Sequence, residues 1–322
     1  MLNFRRLATS ACLVLSTALT AHAQSFPTKP VTLVSPYQAG GAADAMARAI
    51  AEAAGKELGQ PVVVESKPGA EGIIGATDVM NAQPDGYRVL WGGAGSLMVA
   101  TALRKNPPFD PVTAFTPIAA TVDFSFFLYV HPSLPVTNMK EFVAYAKANP
   151  GKISYATGNN QGLLSMADLA KKYNLDMVKV QYRGETAAAT DLITNRVQAI
   201  FATTSLMNFA KEGKLRILGT TLIERSPLLP EVPTVIEAGV PVAEFGGGWL
   251  GIYGPANMAK PVVEKLNQAF VKAFKSPDVK TKMKNAGLVY IPYATPEALA
   301  KYTQDQRDLY RRTIKELNIP QE

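Results

Sequence analysis

The sequence predicts an α/β protein with two parallel sheets, and three features of the chain indicate that class. A unit of strand, glycine-rich or polar loop and helix occurs six times, three times before residue 115 and three times after residue 150. An apolar stretch without a glycine-to-helix junction, residues 115–130, separates the two sets. With 322 residues, 47% of them hydrophobic, the chain is long enough for two compact domains.

Residues 1–23 have the pattern of a secretory signal peptide. The pair Arg5-Arg6 precedes an apolar core at 7–19, and Ala21-His22-Ala23 matches a small-x-small cleavage site. The core is shorter than the roughly 20 apolar residues that a membrane-spanning helix needs. We therefore expect cleavage near Ala23-Gln24 and a mature protein in the periplasm.

Loss of this leader would leave no cysteine and a single histidine. Cys12 and His22 lie within it, and His131 begins a turn-rich stretch where a catalytic role is not expected. Catalysis by a Cys/His pair and zinc sites of Cys or several His are therefore excluded, and no metal or cofactor is expected. The leader contains two of the 33 Lys and Arg and none of the 26 Asp and Glu, so the mature net charge is +5. Without an arginine-rich run, this charge does not predict nucleic-acid binding.

The first set of units has strands at 31–34, 62–65 and 88–91, each followed by a glycine-containing loop. The first turn of a helix leaves backbone N–H groups unpaired and carries partial positive charge. The Gly40-Gly41 turn before a helix therefore predicts a site for a carboxylate or phosphate. Asp44 is expected to cap this helix or to pair with Arg48 one turn later.

The second set has strands at 153–156, 178–182 and 197–202, again with polar loops at their carboxyl ends. A returning strand is predicted at 215–221 and another at 249–255, and the C-terminal third is expected to be helical, at 261–274 and 296–317. Two crossings predict a clamp, with domain 1 formed by 24–120 and 222–322 and domain 2 by 121–221. Ligands of open α/β sheets lie at the carboxyl ends of the strands, so both sets of loops would line one cleft that closes by hinge motion.

Two alternatives, a nucleotide-binding protein and an enzyme, have weaker support in the sequence. The run Gly69 to Gly75 has the spacing G-x-x-G-x-x-G, which is not a dinucleotide fingerprint, and no phosphate loop of nucleotide hydrolases occurs. A hydrolase or isomerase would need two carboxylates with separated pKa values, such as Asp44 and Glu71. Because no nucleophile elbow or metal constellation accompanies them, the chain is predicted not to be an enzyme.

Six segments in order resemble the Bug family of tripartite tricarboxylate transporter receptors, and the resemblance covers essentially the whole mature chain. It implies a type II periplasmic binding protein, a Venus flytrap of two α/β domains joined by a hinge with a ligand cleft between them. It also implies capture of a small carboxylate (di-/tricarboxylate or aromatic carboxylate) by a monomer that delivers it to a membrane permease. A sensor that presents its ligand to a membrane histidine kinase remains an alternative. The segments are 26–31, 35–44, 60–65, 67–70, 84–87 and 228–235.

The predicted ligand-binding residues come from the loops of both sets. Those on the first-domain side are Tyr37, Gln38, Ala39, Gly40, Gly41, Ala42, Ala43, Asp44 and Ser96. Those on the second-domain side are Gly158, Asn159, Asn160, Gln161, Leu163, Ser165, Tyr182, Arg183, Thr203 and Thr204.

Two departures from the family pattern sharpen this prediction. Ala42-Ala43 stand where the family often has Ser-Thr, so backbone amides and water must do most of the binding there. An Asp that often follows the strand before Thr203 is missing. Without that acid the site is expected to take an amine-free carboxylate, with an apolar or aromatic body.

Overall fold

A computed structural model describes residues 26–40, 42–222, 224–242, 248–286, 288–290 and 295–321. The predicted leader and Gly41 lie outside the described residues. The strands are β1 Val31–Ser35, β2 Val62–Ser66, β3 Arg88–Gly93, β4 Phe115–Phe124, β5 Phe127–Val130, β6 Ser154–Thr157, β7 Val178–Gln181, β8 Ala199–Ala202, β9 Arg216–Thr220, β10 Leu250–Pro255 and β11 Leu288–Tyr290. The helices are α1 Ala42–Leu58, α2 Ile73–Met80, α3 Ala100–Ala102, α4 Met139–Ala148, α5 Asn160–Tyr173, α6 Glu185–Ile193, α7 Met207–Lys211, α8 Lys260–Lys275, α9 Pro277–Ala286 and α10 Pro296–Glu316.

Two mixed sheets organise the molecule, of six strands in the order β11-β4-β10-β3-β1-β2 and of five in the order β7-β6-β8-β5-β9. The predicted α/β class with two sheets is confirmed, but the prediction of purely parallel sheets is wrong. Only the strands of the strand–loop–helix units, β1 to β3 and β6 to β8, pair in parallel. The pairs β10–β3, β10–β4, β11–β4, β5–β8 and β5–β9 are antiparallel.

The chain passes between the sheets at two places that lie side by side. The end of β4 leads to β5 through two residues, and the chain leaves the five-stranded sheet after β9. The amide of Thr221 donates to the carbonyl of Phe126 at 3.0 Å, and the amide of Gly248 donates to the carbonyl of Phe124 at 3.2 Å. These bonds tie the outgoing crossing to residues of the returning chain.

Amphipathic helices cover the sheets and bury their apolar faces. In α8, Leu266, Phe270 and Phe274 recur at a four-residue spacing and are fully buried against the six-stranded sheet. Helix α10 begins with Pro296 after the cap Thr295, whose hydroxyl accepts from the amide of Ala298 at 3.2 Å.

The C-terminal third differs from the prediction in one element. The short strand β11 interrupts the expected helices and pairs with β4 at the edge of the six-stranded sheet. No helix within the described ranges combines the length and the apolarity required to cross a bilayer.

Candidate functional site

The loop after β1 is tied to the first turn of α1 by a buried carboxylate. Gly40 has a left-handed backbone (φ 83°), and its amide donates to Asp44 Oδ2 at 3.0 Å. Arg48 donates to both Asp44 oxygens, at 3.0 and 3.1 Å, as the i, i+4 spacing indicated. The hydrogen bond from Arg48 holds the pKa of Asp44 below its usual range against the opposing effect of burial. Asp44 therefore serves its own loop, while Gln38, Ala39 and Gly40 are exposed.

Tyr37 and Ser96 lie next to each other at the floor of this loop. The Tyr37 hydroxyl and Ser96 Oγ are 3.4 Å apart, and Ser96 Oγ accepts from the amide of Gly93 at 3.2 Å. Burial raises the pKa of Tyr37 to about 12, so its phenol stays protonated and able to donate. Ser96 belongs to a π-helical turn, Ala94–Val99, that follows β3. A Cβ at Gly72 (φ 101°) would lie 2.6 Å from that of Ser96, so this approach requires glycine.

On the second sheet, the loops after β6, β7 and β8 meet at one carboxylate. The Asn159 side chain caps α5 and donates through Nδ2 to Glu185 Oε1 at 2.6 Å. Glu185 Oε2 accepts from the Thr203 amide at 3.1 Å, from Thr203 Oγ1 at 2.6 Å and from the Ser205 hydroxyl. Burial raises the pKa of Glu185, and these hydrogen bonds oppose that shift. The backbone of Gly158 packs against this corner, and a Cβ on Gly158 would lie 2.7 Å from the amide nitrogen of Glu185.

Glu185 is the residue that sequence reasoning missed. The Asp that the family often has before Thr203 is absent from this chain, but Glu185 places a carboxylate within hydrogen-bond distance of the Thr203 amide, directly after β8. The carboxylate comes from the first residue of α6, and not from the end of the strand before Thr203. Its place directly after Arg183-Gly184, in a loop that faces the predicted cleft, was the available signal.

The first turns of α5 face the six-stranded half of the molecule. Gln161 is buried and accepts from the Tyr310 hydroxyl of α10 at 3.0 Å, and Asn160 Nδ2 donates to the Gly95 carbonyl at 3.5 Å. Leu164 packs in one apolar cluster with Leu97 and Trp249. Two further predicted residues lie on this helix, Leu163 half-buried and Ser165 fully buried. The start of α5 thus joins the two halves of the molecule.

Three further predicted residues have different surroundings. The Tyr182 hydroxyl donates to Asp191 Oδ2 at 2.7 Å, and burial raises its pKa to about 12. The Arg183 side chain is exposed, and Thr204 is half-buried in the turn after β8. Tyr182 is therefore held along α6 by its hydroxyl.

The two carboxylates considered for acid–base work are each paired with a different arginine. Asp44 is bonded to Arg48 and Glu71 to Arg104, the latter pair at 3.2 Å. Each carboxylate is thus held in its own ion pair, which does not match an acid and a base that act at one shared site.

Known proteins of the same family and fold are similar to nearly the whole chain. Residues 46–319 match the model of the tripartite tricarboxylate transporter family receptor. The structure of the periplasmic binding protein BugD is 33% identical with a TM-score of 0.81, over 92% of this chain and 100% of that chain. MatC from Rhodopseudomonas palustris with bound malate is 29% identical with a TM-score of 0.80, over 90% and 100%. Rpa4515 of R. palustris with adipate is 26% identical with a TM-score of 0.82, over 92% and 99%.

These matches span both sheets and nearly the full length of each solved relative. They agree with a two-domain α/β binding-protein fold whose loops meet between two sheets. The chain therefore belongs to the tripartite tricarboxylate transporter receptor family, the TctC and Bug group of periplasmic solute-binding proteins.

Proposed function

We propose that this protein binds a small carboxylate between its two sheets and delivers it to a membrane permease of the tripartite tricarboxylate type. The observation that carries the proposal is the loop after β1, whose residues 38–40 are exposed beside the Tyr37 and Ser96 hydroxyl groups. Because Arg48 is engaged by Asp44, this end of the cleft offers neutral donors to a carboxylate. The relatives with malate and adipate support the same ligand class.

The proposed binding chemistry relies on the backbone at the start of α1. The N–H groups in the first turn of a helix have no partner within the helix, and together with the helix dipole they favour an anion. The protonated Tyr37 adds a directional donor. The side chains of Ala42 and Ala43 add no hydroxyl donor, so peptide groups and water complete the coordination. On the opposite side we assign Gly158 to Gln161, Leu163, Ser165, Tyr182, Arg183, Thr203 and Thr204 to the cleft wall.

We further propose that the two halves move as domains. Residues 24–120 with 222–322 form one and 121–221 the other, with the paired crossings near Phe124 and Thr221 as the hinge. Residues 1–23 would act as the cleaved leader that carries the chain into the periplasm. No second copy is required, because both walls of the cleft come from one chain.

A thermal-shift screen followed by calorimetry tests the proposal on the chain from residue 24. The panel contains mono-, di-, tri- and aromatic carboxylates, with the corresponding amides as uncharged controls. A ligand at one hundred times its dissociation constant stabilises the folded state by about 2.7 kcal/mol. The proposal requires at least one carboxylate to raise the melting temperature while its amide does not. It is abandoned if no carboxylate binds, or if a bound compound is recovered chemically changed.

Substitution of the first-domain hydroxyl groups locates the site. Tyr37→Phe and Ser96→Ala are each expected to weaken binding by about two- to tenfold, because each removes a hydroxyl group whose hydrogen bond contributes about 0.5–1.5 kcal/mol. Tyr145→Phe, on the helix α4 away from both sets of loops, is the matched control and should bind as the parent does. Equal affinities for all four proteins would place the ligand elsewhere.

A further inference from the structure

The Glu185 carboxylate already occupies the donors of the second sheet. Its four hydrogen bonds come from three side chains and one amide, those of Asn159, Thr203 and Ser205. A free ligand carboxylate would seek the same kind of donors, since amide and hydroxyl groups are its usual neutral partners. Glu185 thus takes, from within the chain, the place of a second ligand carboxylate.

The charge of Glu185 is not balanced by a bonded cation. All its hydrogen-bond partners are neutral, and no Lys or Arg of the described residues forms an ion pair with it. Tyr129 lies close enough to respond to the charge of Glu185, and its hydroxyl donates to the Thr203 carbonyl at 2.9 Å; Arg183, two residues before Glu185 in the sequence, has an exposed side chain. Burial, with the charge of Glu185, raises the pKa of Tyr129, so this phenol is neutral. A net negative charge therefore remains at this corner when Glu185 is ionised.

The position of this charge is where ligands of α/β sheets bind. Glu185 begins α6, Asn159 caps α5 and Thr203 follows β8, so the cluster lies at the carboxyl ends of β7, β6 and β8, which are adjacent in the sheet. Like charges brought together in a closed, partly desolvated cleft repel strongly. A ligand with a carboxylate at each end would meet both an occupied donor set and a negative charge.

We propose that Glu185 sets the charge pattern of the ligand: one carboxylate on the loop after β1, and a neutral or cationic group facing the second sheet. This assignment rests on the proposed carboxylate-binding function and narrows it. It selects against dicarboxylates, and it admits ligands whose far end is apolar or carries a hydrogen-bond donor such as an ammonium group. The loop after β1 would then bind the carboxylate of the ligand, and the loops of the second sheet would bind its other end.

Two series of probes, matched in length within each series, separate charge from shape. The aliphatic series is hexanoate, adipate and 6-aminohexanoate, and the aromatic series is 4-methylbenzoate, terephthalate and 4-(aminomethyl)benzoate. Binding is measured by calorimetry at pH 7.5 for the parent protein, Glu185→Gln and the control Glu212→Gln. Glu212 is an exposed residue of the same half of the molecule, paired with Lys214 at 2.8 Å, so its change removes the same charge away from Glu185.

The expected result is that the parent protein and E212Q bind the monocarboxylate of at least one series ten times or more tighter than its dicarboxylate. In E185Q this ratio should fall at least tenfold, and the preference for the ammonium-bearing probe should fall with it. Equal binding of mono- and dicarboxylate by the parent protein overturns the assignment, as does a ratio that E185Q leaves unchanged. If no probe of either series binds any of the proteins, the assignment fails; the wider carboxylate screen then decides whether the carboxylate function fails with it.

A second variant keeps the test open if E185Q folds poorly. Glu185→Asp retains the charge while shortening the side chain, so discrimination against dicarboxylates should persist although the hydrogen bonds to Asn159 and Thr203 are disturbed. Melting curves of all variants report folding independently of ligand. Loss of discrimination in Glu185→Asp at unchanged melting temperature would show that the packing of this corner, and not its charge, selects the ligand.

Discussion

The change Gly93→Ala tests how closely β3 and β10 approach each other just before the turn that presents Ser96. A Cβ on Gly93 would lie 2.1 Å from the carbonyl oxygen of Trp249 and 2.8 Å from Cα of Leu250. Both atoms belong to the backbone, so no rotamer change relieves the contact. The two chain segments must separate by about 1 Å or more to reach ordinary contact. That shift weakens the bond from the Ala94 amide to the Trp249 carbonyl, which is 3.0 Å long.

The expected cost follows from these two effects. Overpacking of this kind costs about 1–3 kcal/mol, and the backbone hydrogen bond contributes about 0.5–1.5 kcal/mol. Together they predict a loss of about 2–4 kcal/mol in the free energy of unfolding, and a fall of at least about 4 °C in melting temperature. Ligand affinity should fall as well, because the Gly93 amide also donates to Ser96 Oγ.

Circular-dichroism melting and urea unfolding of the purified chain measure the effect, with calorimetry for the ligand found in the screen. Gly95→Ala, two residues away, is the matched control, because a Cβ there meets no atom within 4 Å. Its stability should stay within about 0.5 kcal/mol of the parent protein. If Gly93→Ala and Gly95→Ala have the same melting temperature, the close approach of β3 and β10 is not a feature of the folded protein. The proposed support of the Ser96 turn by β10 would then be refuted.

Three further predictions concern the bonds that hold the site. Asp44→Asn should lower the free energy of unfolding by about 1.5–3 kcal/mol in urea titrations, because the charge-assisted bonds from Gly40 and Arg48 are lost. It should also weaken carboxylate binding; unaltered binding would contradict a role of Asp44 in shaping the loop. Tyr310→Phe removes the buried bond between α10 and Gln161 of α5 and should weaken the contact between the two halves by about 0.5–1.5 kcal/mol, seen as a larger radius of gyration in X-ray scattering. An unchanged radius would argue against the proposed motion of the two halves. At Asp78, burial opposes ionisation but hydrogen bonds from Lys67 and Arg88 hold the pKa below its usual range. The stability that comes from this depressed pKa is present above the unfolded carboxyl pKa of about 4 and is lost as the pH falls through the lower folded value. Arg88→Met should therefore flatten the fall of melting temperature between about pH 5 and pH 2. Parallel curves of melting temperature against pH for the parent protein and the variant would refute this.

Much of the chain order was predictable from local pattern. Each predicted strand of the six units is present, because alternating apolar runs followed by glycine or polar loops are local signals. The bond between Asp44 and Arg48 follows from helix periodicity alone, since residues four apart share a helix face. The direction of β4, β5, β10 and β11 was not predictable in this way, because strand pairing depends on where the chain crosses between sheets.

The sequence by itself determined the strands of the six units, the two sets of loops and the family, since these depend on periodicity and on short motifs. Tertiary structure alone decided which side chains meet. Glu185 joins Asn159, 26 residues away in sequence, and Tyr310 bonds to Gln161 across 149 residues. Such contacts depend on the strand order and on the packing of α5 and α10, which no local pattern encodes. For that reason the acid that appeared to be missing before Thr203 was found only when the loops after β7 and β8 were seen side by side.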